Sequence, residues 1–300
     1  MSIGFIGLGN IGAPMARRLV AAGHDVLVFD LNQAAVERLV GVGAKAGHSV
    51  RAIGDRCETV LLSLPAPAIV NEVVLGQDGL ISSSVVRHVI DLSTTGSDTA
   101  HNIDEGLSRR GIGAVDAPVS GGVSGAEAGT LAIMVACSRQ RFEVVEPLLR
   151  TLGRVFHVAE RPGLGQLMKL INNYLSATSL AVTSEAFVLG LKRGLDPVKM
   201  IEVLNAGSGR SSASLDKFPR AILPGTFDLG FTIALMCKDL GLFLDEAKMA
   251  GVSLAAGAAI DGAWQNARGE LGGDADFSRI VTVLARQAGI DPLPCKEHES

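Results

Sequence analysis

The chain has 300 residues, 47% hydrophobic and 19% charged, with a formal net charge of −4. It is too apolar and too weakly charged for a disordered polymer, long enough for two cores, and lacks the basic excess that nucleic acid or an anionic membrane would select. Its four cysteines, at 57, 137, 237 and 295, form no C-x-x-C pair and no Cys/His ligand spacing, so neither a disulfide framework nor a metal site is expected and a reducing, cytoplasmic setting fits. No secretory signal pattern opens the chain, and no uncharged apolar run reaches the roughly 18 residues of a membrane span.

In chain order, Ile3 to Ile6 reads as a short apolar strand ended by glycines, Ala13 to Ala22 as a helix, and "HDVLVFD" (His24 to Asp30) as a second strand. Further apolar runs follow at Thr59 to Leu64, His88 to Ser93, Ala114 to Val119, Leu131 to Cys137 and Arg154 to Ala159, with helical text between most of them. Short Val/Ile/Leu runs alternating with helices predict a mainly parallel sheet covered on both faces, an α/β domain. Arg161-Pro162-Gly163 then punctuates the chain, and from Leu164 the text is helical, with apolar positions at 164, 168, 171, 175 and 182 and Thr178 on the same line. Breaks fall at Gly194 to Pro197, in the Ser/Gly cluster 207–214 and at Pro224-Gly225. Two domains are therefore expected, residues 1–162 and an all-α domain of residues 163–290, followed by a polar tail of residues 291–300.

Four segments carry chemistry. In "GFIGLGNIGAPMA", Gly4 to Ala16, the spacing Gly7-x-Gly9-x-x-Gly12 is weak evidence alone in a chain with 36 glycines. Its context is specific: it follows a strand, opens a helix, and is followed by a second strand ending at Asp30. Gly7 to Gly12, with Leu8, Asn10 and Ile11 between, would hold a pyrophosphate on backbone amides, and Asp30 would bond the ribose 2′-hydroxyl. A carboxylate there repels a 2′-phosphate, and Leu31-Asn32-Gln33 offers no cation to hold one, so NAD is favoured over NADP; the competing role for Asp30 is to cap the next helix.

The second segment, "DAPVSGGVSGAEAGTL" from Asp116, exposes consecutive amides at Ser120-Gly121-Gly122, either a carboxylate cradle or a flexible loop. The third places Lys169 and Asn173 four residues apart on one helical face, off the apolar line; the competing reading is a solvated lysine. The poor helix formers Asn172 and Asn173 weigh against that alternative. The fourth, "CKDLGL", sets Lys238 and Asp239 after Phe231, where an exposed charge pair is the plain alternative.

Taken in order, "GFIGLGNIGAPMA", "DLSTT" (Asp91 to Thr95), "DAPVSGG", Gly165-x-x-x-Lys169 with Asn173, and "KDL" resemble the β-hydroxyacid dehydrogenase family, the group of 3-hydroxyisobutyrate dehydrogenase and tartronate semialdehyde (2-hydroxy-3-oxopropionate) reductase. The resemblance spans nearly the whole chain. It implies a Rossmann-type doubly wound sheet followed by an all-α domain, as in 6-phosphogluconate dehydrogenase, with homodimers or homotetramers built through the latter. It also implies hydride transfer between NAD(P) and a small 3-hydroxy acid or its semialdehyde.

By position, the resemblance implies that Lys169 is catalytic with Asn173 beside it and that Ser120, Gly121 and Gly122 hold the substrate carboxylate. Thr94 would sit near the nicotinamide, Leu64-Pro65 would border the cofactor, and Phe231, Lys238 and Asp239 would close the site, Lys238 near the cofactor as well. A lysine base must shed its proton from an ordinary pKa near 10.4; a dry site beside a positive ring would favour that. Ala68-Ile69-Val70 stand where 3-hydroxyisobutyrate dehydrogenases often carry Asn, and Ser212-Ala213 where many relatives carry an aromatic residue, which leaves the acid open. Residues Asn205 to Pro219, with Arg210, read as a specificity loop or a hinge.

6-Phosphogluconate dehydrogenase itself is disfavoured because residues 163–168 hold no histidine, and imine reductases because Lys169 is present. A non-catalytic NAD-responsive module is the alternative of a different class. Neither a nucleic acid nor a membrane is expected as partner.

Overall fold

The computed structural model describes residues 2–290, so the expected tail at 291–300 lies outside the described residues. The chain divides into two compact units, one through Leu170 and one from Ile171 onward.

The first unit is built on a nine-stranded sheet. Its strands are β1 (Ile3–Ile6), β2 (Val26–Phe29), β3 (Lys45–Ala46), β4 (Thr59–Leu62), β5 (His88–Asp91), β6 (Gly113–Asp116), β7 (Val119–Ser120), β8 (Leu131–Ala136) and β9 (Gly153–Ala159). Its helices are α1 (Gly12–Ala21), α2 (Gln33–Val40), α3 (Val50–Gly54), α4 (Pro67–Leu75), α5 (Ser97–Ser108), α6 (Gly122–Ala128) and α7 (Arg139–Leu149). The spatial order runs β3-β2-β1-β4-β5-β6-β8-β7, with β9 beside β8.

The first six strands are mutually parallel, as the apolar runs predict, whereas β8 pairs antiparallel with β6 and β7 and β9 runs parallel to β8. Alternate strand residues feed two cores. Phe5, Val28, Leu61 and Ile90 pack with α1, α2 and α7 on one face, while Ile6, Leu27, Val60 and Val89 pack with α3, α4 and α5 on the other. The connections reverse direction between β1 and β4, the topological switch point at which doubly wound sheets bind ligands beyond their carboxyl edge.

Helix α8 (Leu164–Lys192) begins in the first unit and continues into the second. The second unit adds α9 (Pro197–Ala206), a ten-residue π-helix (Ala213–Ile222), α10 (Ile233–Met249), α11 (Gly257–Leu271) and α12 (Ile280–Gln287). Its core gathers Leu180, Phe187, Phe218, Met236, Leu240 and the fully buried Trp264. The π-helix starts at the end of the Ser/Gly cluster and takes up the second half of the 205–219 stretch read as a loop or hinge; Pro219, which lacks an N–H, lies within it.

On α8 the orientation reverses what the apolar line suggests. Leu175 is 61% exposed and Leu164, Met168 and Val182 are exposed too, while Gln166, Lys169, Asn173 and Ser184 are buried. The helix is long and apolar enough to cross a membrane by length and composition. Its buried polar face instead matches a core helix whose polar groups find partners inside the protein.

Candidate functional site

The loop between β1 and α1 has the three properties a dinucleotide needs. Gly7 has φ +96°, and a Cβ there would lie 2.2 Å from the Ser63 carbonyl oxygen. A Cβ on Gly12 would lie 2.0 Å from the Gly7 carbonyl oxygen, so the helix start packs on the turn only without a side chain. A Cβ on Gly9 would meet nothing within 4 Å, so the space beside it is open for a phosphate to reach the backbone. The first turn of α1 has no side-chain cap and no acidic residue, so no carboxylate offsets its positive dipole end, which favours an anion; Ala13 and Met15 donate to the Gly9 and Ile11 carbonyls.

Asp30 stands at this loop. Its Oδ2 accepts from the Leu8 backbone N–H at 2.6 Å and its Oδ1 from that of Asn32 at 2.7 Å. The carboxylate is thereby anchored to the glycine loop, rather than serving only as the cap of α2. Arg and Lys are absent from positions 31–33. These residues fit a nicotinamide dinucleotide.

At the next two parallel strand ends, the Leu64 N–H donates to Ser93 Oγ at 2.9 Å, tying Leu64-Pro65 to the turn after β5. In that turn Ser93 and Thr95 are buried and Thr94 is half-buried. Gly121 and Gly122 have φ +139° and +65°, so the loop after Ser120 has a backbone that side chains other than glycine rarely tolerate.

Lys169 is 8% exposed, which overturns the reading of a solvated lysine. Three residues before it Gln166 is fully buried, and this side chain joins three of the motifs. Gln166 Oε1 accepts from the Thr95 N–H at 2.8 Å and the Gly96 N–H at 3.3 Å; Nε2 donates to the Ser93 carbonyl at 3.1 Å and to Asp116 Oδ1 at 2.9 Å. Asp116 Oδ2 in turn accepts from the backbone N–H of Gly163 at 2.8 Å and of Gln166 at 3.1 Å, capping α8 from the end of β6. Gly165 permits this approach, since a Cβ there would lie 2.8 Å from Asp116 Oδ2.

Burial pushes the Asp116 carboxyl up to about 7, against the downward pull of its hydrogen bonds from Gln166 and Gly163, and the neighbouring Asp91 adds to the rise. Sequence reasoning quoted Asp116 without a role and missed Gln166. A carboxylate ending a buried apolar strand is the signal that was available.

In the second unit, Asn173 Nδ2 donates to Asp239 Oδ2 at 2.6 Å and Asn173 Oδ1 accepts from Asn172 Nδ2 at 3.1 Å, which fixes the orientation of the Asn173 amide. Asp239 is 2% exposed and Lys238 Nζ lies 3.0 Å from its Oδ1, so the exposed-pair reading fails for the carboxylate. Phe231 packs edge-on against Phe277 at the start of α10, as part of that unit's core. In the 205–219 stretch Asn205 Nδ2 donates to the Ser214 carbonyl at 2.9 Å, folding the loop onto the π-helix. Among the described residues no group of His, Cys, Asp and Glu gathers as a metal site, and Cys57, Cys137 and Cys237 are free and buried.

Comparison with known proteins gives these groups a context. Residues 2–160 match the NAD-binding domain of 6-phosphogluconate dehydrogenase, and residues 163–284 match the model described as NAD-binding of NADP-dependent 3-hydroxyisobutyrate dehydrogenase. The chain is 38% identical over 292 residues to 2-(hydroxymethyl)glutarate dehydrogenase of Eubacterium barkeri, covering 97% of each. It is 40% identical over 265 residues to 3-hydroxyisobutyrate dehydrogenase of Pseudomonas aeruginosa, covering 85% of this chain and 88% of that one. The solved structure of Mycobacterium tuberculosis 3-hydroxyisobutyrate dehydrogenase with L-serine superposes with a TM-score of 0.83 at 31% identity, covering 94% of this chain and 98% of that one. With a dinucleotide loop, a doubly wound sheet and an all-α second unit in matching order, the chain belongs to the β-hydroxyacid dehydrogenases and is an NAD(P)-dependent oxidoreductase of 3-hydroxy acids.

Proposed function

We propose that the chain interconverts 2-substituted 3-hydroxypropanoates, HO–CH2–CHR–COO−, and their semialdehydes, with NAD preferred over NADP. The observation that carries the reading is Lys169, 8% exposed and one helical turn from an Asn173 whose amide is oriented by Asn172 and Asp239. The acids named for the relatives support the substrate class, since 3-hydroxyisobutyrate, L-serine and 2-(hydroxymethyl)glutarate all bear a primary alcohol β to a carboxylate. The NAD preference is supported by Asp30, held at the glycine loop.

In this reading the substrate carboxylate rests on the Ser120-Gly121-Gly122 amides, while Phe231 and Lys238 bound the substrate. When bound, the nicotinamide ring supplies the hydride acceptor. Lys169, as the free amine, takes the hydroxyl proton during oxidation; as the ammonium it polarises the aldehyde oxygen and returns that proton during reduction. Asn173 keeps one amide N–H bonded to Asp239 and directs the other at the same oxygen.

Turnover of 3-hydroxyisobutyrate, L-serine, D-glycerate, L-threonate and 4-hydroxybutyrate with NAD and with NADP, followed by NADH or NADPH absorbance, tests the reading. The first three should react and 4-hydroxybutyrate should not; reaction of 4-hydroxybutyrate alone would sink it. The partners we assign are these small molecules and further copies of the chain. Leu175, Val182 and Leu189, exposed at seven-residue spacing on α8, support a homo-oligomer, and sedimentation equilibrium reads its size.

A further inference from the structure

Gln166 stands out among the buried polar groups because its partners are Thr95, Gly96, Ser93 and Asp116, and every hydrogen-bonding position of its carboxamide is used. The amide is the one side-chain group that offers two donors and two acceptor positions at a single end. Here it meets two N–H groups, Thr95 and Gly96, and two acceptors, the Ser93 carbonyl and Asp116 Oδ1. A carboxylate keeps the acceptor half and loses the donor half, and a thioether or alkyl chain keeps only the volume.

We infer that Gln166 is a positioning residue for hydride transfer: it fastens the Ser93–Gly96 turn, which presents Thr94, to the first turn of α8, which presents Lys169. This rests on the reading of Lys169 and Thr94 given above. Both ends of the linkage are independently fixed. The turn is tied to Leu64 through Ser93 Oγ, and the helix start is capped by Asp116 and held by Ser97 Oγ, which donates to the Gly163 carbonyl at 2.9 Å. Ser97, directly after the turn, also bonds the start of α8, so breaking the carboxamide contacts alone lets the turn pivot about that bond without dismantling either piece. Displacement of a reacting group by about 1 Å costs on the order of a hundredfold in rate.

The sharpest test is Gln166→Glu. The introduced carboxyl can accept from Thr95 and Gly96 as before, but its second oxygen faces the Ser93 carbonyl and Asp116, both acceptors. That contact holds only while a proton is shared between the two carboxyls. The titratable groups facing it are Asp116 from β6, Asp91 from β5, His101 of α5, which packs against Gly163, and Lys169 on the same helix.

Relative to wild type at each pH, kcat of Gln166→Glu should be near normal at about pH 5.5 and fall roughly 10- to 100-fold by about pH 8.5. The calorimetric Kd for NAD should stay within about threefold throughout. Gln166→Met should lose kcat by a similar factor at every pH. A purely structural role would lower the melting temperature and leave kcat of the folded variants, and its pH profile, as in wild type; that result overturns the inference. The acid arm of Gln166→Glu keeps the Thr95, Gly96 and Asp116 contacts and loses only the one to the Ser93 carbonyl, and so keeps the test valid if Gln166→Met does not fold. Lys169→Ala, assayed alongside, separates the two levels. If it stays active, the reading of the site fails; if it is inactive while both Gln166 variants match wild type, only the positioning role fails.

Discussion

The two units prepare functional groups in opposite ways. In the first, the groups we assign to ligands are largely backbone: amides at Gly7 to Gly12 and at Ser120 to Gly122, shaped by glycines whose Cβ atoms would collide with carbonyls or whose φ is positive. In the second, they are side chains held by other buried side chains, Asn173 by Asn172 and Asp239. Backbone sites are written in sequence as glycine spacing. Side-chain sites are written as single polar residues that look like surface until their burial is known.

Lys169 lies where these modes meet, in the first unit but on the helix that carries Asn173, and its replacement should have the largest effect. Lys169→Ala should lower kcat roughly 10²–10⁴-fold, the range of a lost general acid–base group, with NAD affinity near wild type by calorimetric titration. Residual activity within a few-fold of wild type would return Lys169 to the status of a buried structural lysine.

Asp239→Asn probes the second mode by itself. It leaves Asn173 at most a neutral hydrogen bond in place of a charge-assisted one, which is roughly twice as strong, and so loosens the Asn173 amide. A kcat loss of roughly 10- to 100-fold, with the KM for NAD unchanged, is expected from steady-state kinetics. Equal losses in both parameters would place Asp239 in cofactor binding instead.

Asp30→Ser probes the first mode, and its effect should be smaller because one ribose contact is lost while the glycine loop persists. The kcat/KM for NAD should drop about tenfold, narrowing the gap to NADP. An unchanged NAD/NADP ratio would show that Asp30 serves the loop through Leu8 alone.

The same contrast explains what was legible in the sequence. β1, β2, β4, β5 and β8 coincide with apolar runs, because a strand buried on both faces has no alternation to blur, and β9 coincides with one although alternate residues, Phe156 and Val158 among them, are exposed. β3 and β7, two residues each, are too short to leave a pattern, and the antiparallel entry of β8 is invisible in an apolar run that reads alike in both directions. The π-helix was hidden by Ser and Pro, which ordinarily break helices. At the site, the glycines and Asp30 were legible by spacing. Gln166 was not, because a glutamine within a helix has no characteristic period and its importance lies in four partners distant in sequence. The exposed line through Leu175 and Val182 misled for the same reason: burial on α8 is decided by where Asp116, Ser93 and Asp239 wait for polar partners, not by apolar spacing alone.

Asp116 gives the smallest expected effect and the one with a definite sign. Its carboxyl stays protonated up to about 7 in the folded chain, mainly through burial, whereas in the unfolded chain it ionises near 3.8. Below both values the two states carry the same proton and Asp116 adds no pH dependence. Between them the unfolded chain has released its proton and the folded one has not, so stability falls as pH rises, by at most about 1.4 kcal/mol per pH unit, and levels off above the folded value. The other titrating groups act alike in wild type and Asp116→Asn, Asp91 being the charged neighbour to which the substitution matters most. Asparagine cannot titrate, yet its NH2 faces the Gln166 donor, so the variant should be less stable at about pH 5, where the wild-type carboxyl is satisfied. Toward about pH 8 the wild type loses that advantage, and the difference in melting temperature should shrink by a few degrees. A constant difference across this range would mean that Asp116 is already ionised in the folded chain, with its hydrogen bonds from Gln166 and Gly163 outweighing its burial.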